Sequence, residues 1–198
     1  GGGDTGNDCV ATAVRQGARS VRQLEVLPEP PRARAADNPW PEWPAVRTTG
    51  YGQEEAIALM GGEIRRWSCD TVGIEADASG GARGVTVADL RWDGGAPERV
   101  AGTEETLPAQ LVLVACGFTG SERGVYEAFG CAFGASGTAR PLPRVDGASH
   151  RCEPESGAAG VGKPVFTCGD ARSGASLVVS AIADALACAG EVARVLTA

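Results

Sequence analysis

The spacing of apolar residues along the chain predicts alternating helices and strands. Apolar residues recur on one helical face in the segments 9–17, 51–60 and 176–196. Strand-like patterns occupy the segments 21–26, 63–68, 70–75, 85–92, 98–101, 111–116 and 165–168. The run 111–116 is continuously apolar, as expected of a strand buried on both faces of a parallel sheet. We therefore predict an α/β fold, a parallel sheet with helices, in which residues 63–101 form an inserted antiparallel meander.

The segment 28–50 interrupts this pattern because it is rich in proline. Its sequence includes Trp40-Pro41-Glu42-Trp43-Pro44, which excludes a helix or a central strand. Long irregular loops in compact domains are usually functional or linking. We expect the two tryptophans to dock on another surface, and we favour burial within the same protein over contact with a partner subunit.

The first six residues carry a glycine motif of the form G-x-G-x-x-G, made by Gly1, Gly3 and Gly6. In dinucleotide-binding folds these glycines allow a tight turn, the approach of a pyrophosphate and close helix–strand packing. A helix N-terminus beside glycine-rich backbone binds anions, because its free N–H groups and its dipole favour phosphate. Asp4 and Thr5 lie within this predicted site. The strand that should precede the motif is missing from this sequence. We expect the chain to be a fragment of a longer product, and a glycine-rich terminus without a ligand stays open as the alternative.

Glu25 follows Gly6 by about 20 residues and ends a predicted strand. An acidic residue at that place hydrogen-bonds the ribose 2′-hydroxyl of NAD and repels the 2′-phosphate of NADP. The spacing therefore favours NADH. Arg32 and Arg34 follow shortly after in the sequence and are alternative ligands for the 2′-phosphate of NADP. A second alternative is that Glu25 is a solvated residue at the end of a strand, without a role in binding.

Near the C-terminus, Gly169 and Asp170 follow a predicted strand and precede a turn at 171–174 and an apolar helix with a buried N-terminus. This arrangement presents the Asp170 carboxylate to a hydroxyl-bearing ligand and directs the amides after Gly174 at an acceptor. A helix-capping aspartate is the alternative. Gly117 lies at the carboxyl end of the run 111–116, where open α/β sheets hold ligands. His150, the one histidine, is expected on the surface without a carboxylate nearby.

Composition excludes several classes of function. The 198 residues carry a net charge of −7, without a basic stripe, so nucleic acid is not an expected partner. No apolar run reaches the roughly 18 residues that span a bilayer. The seven cysteines include no C-x-x-C pair, which disfavours iron–sulfur and zinc sites in this segment and predicts buried free thiols in a reducing compartment.

Several longer motifs together resemble one family, the small subunit of glutamate synthase or the matching C-terminal domain of the fused enzyme. These motifs are GGGDTGND at 1–8, QLEVLPEPP at 23–31, DNPWPEWP at 37–44, YGQEEA at 51–56, LPAQLVLVACGF at 107–118 and GDARSGASLVV at 169–179. The resemblance implies a partial FAD/NAD(P)-binding two-dinucleotide fold. Residues 1–115 would be most of the NAD(P)H-binding domain, and 116–198 the returning part of the FAD-binding domain.

The resemblance also implies cofactors and partners. Gly169 and Asp170 would bind the ribityl chain of FAD, and the amides of Ser176, Leu177 and Val178 would face its ring. Hydride would pass from NAD(P)H to FAD, with no catalytic side chain in this segment. Iron–sulfur clusters in the missing part or the partner would carry electrons to the large subunit, or to a fused large domain, for glutamate synthesis from glutamine and 2-oxoglutarate. The expected location is the cytoplasm, or a plastid.

Two further expectations follow from what this sequence lacks. The FAD-pyrophosphate glycine motif is missing, so this segment alone should bind FAD poorly, and residues 1–115 should be marginally stable without a central strand. The alternatives are another flavin oxidoreductase of the same superfamily, such as a ferredoxin:NADP reductase subunit or a dihydropyrimidine dehydrogenase segment, and a non-catalytic nucleotide-binding or scaffold module.

Overall fold

The computed structural model describes residues 1–134, 140–156 and 163–197, and the chain divides into two compact units, Gly1–Gly117 and Phe118–Ala198. The first unit contains two helices, one parallel strand pair and an antiparallel sheet. Among its described residues, the second unit contains three helices and isolated β-bridges. Helices combined with parallel and antiparallel pairing confirm the predicted α/β class.

Two helices pack against each other in the first unit. Helix α1 spans Asp4–Arg15, and helix α2 spans Tyr51–Met60, the segment that the apolar pattern predicted. Their shared core contains Val10, Ala56 and Ile64. The prediction of a helix at 9–17 was wrong at its start, because α1 already begins at Asp4 within the glycine motif. An acidic residue in the first turn suits the positive end of the helix dipole.

A short parallel pair lies beside these helices. Strand β1, Gln23–Leu24, pairs with strand β2, Arg65–Arg66. The segment 63–68 therefore does not belong to the antiparallel meander, and that part of the prediction was wrong. Strand β2 consists of two arginines, Arg65 and Arg66. The sequence therefore contained no pattern of apolar residues to indicate that this strand pairs in parallel with β1.

The antiparallel sheet consists of four strands. Strand β3, Cys69–Ala76, pairs with β4, Ala82–Arg91, which also pairs with β5, Glu98–Arg99, and with β6, Glu105–Pro108. Its buried cluster is Cys69, Val85 and Val87. The meander from residue 70 to 101 is thus confirmed. Strand β6 was missed, because its acidic start and its terminal proline hide the apolar alternation.

The apolar run 111–116 does not form the predicted buried strand. Within the described residues it has no strand partner, and Leu111 and Val114 are 69% and 80% exposed. Val112 alone of this run packs against the Val85–Val87 cluster. A parallel strand is buried on both faces when helices cover both sides of its sheet, and the exposure of Leu111 and Val114 shows that the described residues do not cover this run in that way.

The second unit is built around helices α3, Arg123–Ala128, α4, Asp170–Ser173, and α5, Val178–Thr197. The predicted strand at 165–168 is only an isolated bridge between Phe166 and Arg151. Helix α5 was predicted with a buried N-terminus, yet Val178 is 73% exposed and Cys188 is the helix's one buried residue. None of the described helices has the length and apolar character needed to cross a membrane.

The proline-rich segment has neither helix nor strand between residues 28 and 50, as predicted. Its tryptophans are not buried, however, since Trp40 is 83% and Trp43 89% exposed. The loop is held from within by Asn38, whose Oδ1 accepts from the Ala45 amide at 2.8 Å and whose Nδ2 donates to the Trp43 carbonyl at 3.0 Å. The described residues do not cover these tryptophans, and their burial against the rest of the parent protein stays a prediction.

Candidate functional site

A cavity of about 340 Å³ opens in the first unit beside the N-terminus of α1. This volume lies within the range of small-molecule sites, roughly 300–1,000 Å³. Backbone of the glycine motif, the start of α2 and the ends of β1 and β2 border it. The side chains that give it chemical character are Asp4, Glu25, Arg47, Arg65 and Trp67.

The glycines of the motif have different roles around this cavity. A Cβ on Gly1 would lie 2.0 Å from the Ala115 carbonyl oxygen, and a Cβ on Gly6 would lie 2.2 Å from the Gly1 carbonyl oxygen. Both positions therefore exclude any side chain because backbone approaches them closely. Gly3, by contrast, has nothing within 4 Å of that position and lines the cavity. Open space at the second glycine is where a dinucleotide fold admits the pyrophosphate.

The N-terminus of α1 faces the same cavity. The first helical bond runs from the Asn7 amide to the Gly3 carbonyl at 3.0 Å, and Gly3 supplies no side-chain cap. The amides of residues 4–6 precede that bond and so lack helical acceptors. Of the residues predicted for this end, Gly3 and Asp4 line the cavity, Gly1 and Gly6 pack behind it, and Thr5 is exposed in the first turn of α1.

Glu25 lies beside the glycine backbone, as its spacing predicted. A Cβ on Gly2 would lie 2.3 Å from Glu25 Oε2, so the carboxylate occupies the space next to that glycine. Its other oxygen accepts a hydrogen bond from the Leu27 amide at 3.0 Å. The carboxylate is thereby fixed at the rim of the cavity, although its role toward a ribose stays a prediction.

Two arginines and a tryptophan form the opposite wall, and sequence reasoning missed them. The guanidinium groups of Arg47 and Arg65 each lie 5.0 Å from the centre of the Trp67 ring. Glu63 joins them, since Arg65 Nε donates to it at 2.8 Å and Arg47 also pairs with it. Hydrogen bonding by Arg65 is the main reason that the pKa of Glu63 falls to about 2.

The arginines proposed from the sequence lie elsewhere. Arg34 donates to the backbone carbonyls of Asn38 and Glu42 in the proline-rich loop, at 2.9 and 3.0 Å. Neither Arg32 nor Arg34 lines the cavity. Arg47 and Arg65 could have been suspected only from their neighbours in space, because they are 22 and 40 residues from Glu25 in sequence.

A second cavity of about 360 Å³ lies within the second unit. Its lining includes Phe118, Tyr126, Arg140, Asp170 and Gly174. Asp170 and Gly174, both predicted cofactor ligands, are thus brought together, and Gly174 has a φ of +87°.

The loop between α4 and α5 is closed by Asp170. Its Oδ1 accepts hydrogen bonds from the Ser176 amide at 3.0 Å and from the Ser176 hydroxyl at 2.8 Å. The Ser176 amide is therefore already engaged within the loop. Asp170 is not a helix N-cap, because it is the first residue of α4 and Gly169 is the N-cap. Leu177 and Val178 are exposed, and Gly117 is the last residue of the first unit. The roles of Ser176, Leu177, Val178 and Gly117 toward a flavin stay predictions.

His150 is not the surface residue that the sequence indicated. It is 5% exposed, and its ring contacts two carboxylates of α5, Glu191 at 2.8 Å and Asp184 at 3.1 Å. Asp184 also accepts from the Gly169 amide at 2.7 Å and from Arg172 at 2.7 Å. Hydrogen bonding to Glu191 is the main cause that raises the pKa of His150. This cluster attaches the Gly169 turn to α5.

The cysteines are free thiols with unequal exposure. Four are buried, Cys69, Cys131, Cys152 and Cys188, whereas Cys116 is exposed, contrary to expectation. Burial raises the pKa of the Cys152 thiol to about 12. Within residues 1–134, 140–156 and 163–197, no group of three or more histidine, cysteine or acidic side chains is arranged to hold a metal.

Comparison with known proteins gives matches along nearly the whole chain. It is 39% identical over 210 residues to the NADPH glutamate synthase small chain of Bacillus subtilis, covering 99% of this chain and 38% of that protein. It is 38% identical over 197 residues to the NADH glutamate synthase of Schizosaccharomyces pombe, covering 97% of this chain and 9% of that protein. The small chain of Mycobacterium tuberculosis is 39% identical, covering 99% and 36%.

Among solved structures, Mycobacterium tuberculosis FprA in complex with NADPH has a TM-score of 0.49 and 17% identity, covering 94% of this chain and 39% of that chain. No protein-family model matches.

The family resemblance indicated by the motifs is confirmed by these relatives. The chain spans less than two fifths of the length of the small chains that it matches. Over nearly its whole length, this chain is a homologue of the glutamate synthases, and it corresponds to a segment of their small chain.

Proposed function

We propose that this chain is the nucleotide-binding segment of a glutamate synthase and that its first unit binds NADH against the glycine motif. The observation that carries the proposal is the convergence of four features on one cavity. These are the open position at Gly3, the amides that begin α1, the Glu25 carboxylate and the Trp67 wall. Amides at a helix N-terminus suit a pyrophosphate, and a carboxylate suits a ribose diol.

The preference for NADH over NADPH rests on the charges that line the cavity. Arg47 and Arg65 are matched by Glu29 and Glu63, with Arg47 Nη1 2.6 Å from Glu29 Oε1. The remaining charged groups in the lining are Asp4 and Glu25, which are both negative. A 2′-phosphate would add negative charge beside them, so the ribose of NADH is favoured.

The second unit is proposed to supply part of an FAD site. The cavity there combines the Asp170 carboxylate, the Tyr126 ring and the exposed cation Arg140, a set that fits a polyol chain, a flat ring and a phosphate. The predicted contacts of Gly117, Gly169, Gly174, Ser176, Leu177 and Val178 belong to this proposal. When bound, the cofactors supply the redox chemistry, in which hydride passes from NADH to FAD. The chain's own residues bind and orient them.

The whole protein's activity and partners are proposed from the family. We expect electrons to continue, through iron–sulfur clusters outside this segment, to a large subunit or a fused large domain that makes glutamate from glutamine and 2-oxoglutarate. This places the protein in a reducing compartment, the cytoplasm or a plastid, which free thiols support.

Calorimetric titration of the chain with NADH and then with NADPH tests the proposal. We expect one NADH site and an affinity for NADPH that is lower by about tenfold or more, the effect of one unfavourable charge contact. In the intact gene product, which would include the FAD-pyrophosphate motif, anaerobic NADH should also bleach the flavin absorbance. A chain that is folded and binds neither nucleotide would instead be a scaffold module.

A further inference from the structure

A series of buried amides runs beside the glycine motif and joins four elements that border the cavity, and Gln23, Gln53 and Arg65 themselves lie in the cavity lining. Gln23 on β1 and Gln53 on α2 are 5% and 4% exposed, and the side chain of Arg65 on β2 is also 5% exposed. Gln53 Nε2 donates to Gln23 Oε1 at 2.9 Å, and Gln23 Nε2 donates to the Gly1 carbonyl at 2.9 Å. We propose that Gln53 and Gln23 are positioning residues, which hold the backbone of the glycine motif in the position that binds the dinucleotide. This inference rests on the proposed function.

The donors that surround Gln53 Oε1 determine the direction of these hydrogen bonds. Gln53 Oε1 accepts from the Gly50 amide at 2.9 Å and from Arg65 Nη1 at 3.1 Å. Both groups are donors only, so the Gln53 amide nitrogen must point to Gln23. Gln23 must then present its own nitrogen to Gly1. The arginine thereby determines the orientation of both amides, and the series ends on a carbonyl of the glycine motif.

The same series also holds the N-terminus of α1. The Gln53 backbone amide donates to Asn7 Oδ1 at 3.1 Å, and Asn7 lies in the first turn of that helix. Close packing leaves little room for adjustment, because a Cβ on Gly6 would lie 2.8 Å from Gln23 Nε2. A shift of either glutamine is therefore passed to Gly1 or Asn7, which lie on either side of residues 3–6 of the predicted pyrophosphate site.

This arrangement explains why two distant motifs belong together. Gln53 lies in the YGQEEA motif and Gly1 in the GGGDTGND motif, yet Gln23 is their shared hydrogen-bonding partner. Because a buried amide without a partner is costly, the three groups act as a unit. Their effect on ligand binding should accordingly be non-additive.

The test compares NADH binding by Q23M, Q53M and the double variant, with Q16M as the matched control. Methionine keeps the length of glutamine and removes its hydrogen bonds, and Gln16 is exposed at the end of α1 away from the cavity. We expect each single variant to weaken NADH binding about tenfold, the effect of one hydrogen bond to a buried group. The double variant should bind NADH no more weakly than the single variant with the lower affinity. The NADH affinity of Q16M should equal that of the parent chain.

Calorimetry and unfolding curves together separate positioning from folding. Each titration is paired with a denaturant unfolding curve of the same variant, because reversible partial unfolding raises the apparent dissociation constant in proportion to the loss of folded chain. A positioning role weakens NADH binding in a variant whose unfolding curve shows it fully folded under the titration conditions. Multiplicative effects in the double variant, or unchanged dissociation constants in both single variants, would overturn the inference while leaving NADH binding itself intact. If the parent chain binds no NADH, the proposed function fails first.

Discussion

Gly52 shows how one missing methyl group brings two helices together. A Cβ there would lie 2.4 Å from the Asn7 carbonyl oxygen and 2.7 Å from the Ala11 side chain, so α2 approaches the backbone of α1 directly. This contact places Gln53 beside Asn7, and therefore the packing of α1 on α2 shapes the nucleotide cavity.

Substitution of this glycine should be costly. We expect Gly52→Ala to lower the free energy of unfolding by about 1–3 kcal/mol, the usual cost of overpacking. Gly62 is the control, because a Cβ there meets nothing within 4 Å. Denaturant unfolding of both variants checks this, and equal stabilities for the two would show that the helices separate freely.

We propose that Glu25 determines which nucleotide is preferred. Replacing it in Glu25→Ser removes one of the two negative charges of the cavity lining that arginine does not offset. NADH affinity should then fall about tenfold with the lost charged hydrogen bond, while NADPH affinity is unchanged or rises. Calorimetric titrations measure both, with Glu54→Ser on the exposed face of α2 as the charge-matched control. An unchanged ratio of the two affinities would remove Glu25 from the site.

The His150 cluster makes the stability of the second unit depend on pH. The pKa of His150 is raised above 6.5, so its stabilising effect is complete below pH 6.5 and is lost as pH rises through the raised value. The pKa values of Asp184 and Glu191 are lowered from 3.8 and 4.5, so their contribution is present above pH 4.5 and is lost as acid protonates them. Arg172 opposes protonation of His150 but does not reverse the direction.

Thermal unfolding across pH tests this cluster. We expect the parent chain to be most stable between about pH 4.5 and 6.5, the window set by these groups. His150→Gln should lose stability most in that window and little above it. Since His150 is the one histidine of the sequence, the difference between the two profiles reports it alone. Parallel profiles would contradict the placement of His150 between two carboxylates.

At the scale of elements, the sequence predicted what local patterns determine. Helix α2 was predicted at its observed bounds, because acidic residues begin it and Gly61, with a φ of +76°, ends it. The run 111–116 and the N-terminus of α5 were predicted to be buried and are exposed. A run of apolar residues shows that a segment is able to be buried. Whether it is buried depends on the elements that pack against it, and a local sequence pattern does not contain that information.

The proline-rich loop gives a prediction at this scale. Because Trp40 and Trp43 are more than four-fifths exposed, the double variant W40A/W43A should unfold within about 0.5 kcal/mol of the parent chain. Trp67 makes the contrast, since W67A removes the ring that lies 5.0 Å from two guanidinium groups. Chemical denaturation compares them. A large loss in W40A/W43A would mean that the tryptophans pack against this chain after all.

For the whole molecule, the sequence predicted the part of the candidate site that the glycine motif and Glu25 form, but it did not predict the side chains that line the rest of the cavity. Gly3, Asp4 and Glu25 were found from spacing alone, because a glycine motif and an acidic residue keep their sequence separation in this kind of fold. Arg47 comes from the proline-rich loop, Arg65 from strand β2 and Trp67 from the position directly after it, and only folding brings them together. The Gln23–Gln53 series was hidden for the same reason.

The central claim is that the glycine motif and Glu25 bind NADH in the first unit. Amide chemical-shift mapping of the isotope-labelled chain during an NADH titration tests it most directly. We predict that the largest shifts fall on residues 3–6 and on Glu25, with smaller ones on Gln23 and Gln53. Saturable shifts confined to other residues, or none at NADH concentrations up to the millimolar range, would contradict the account.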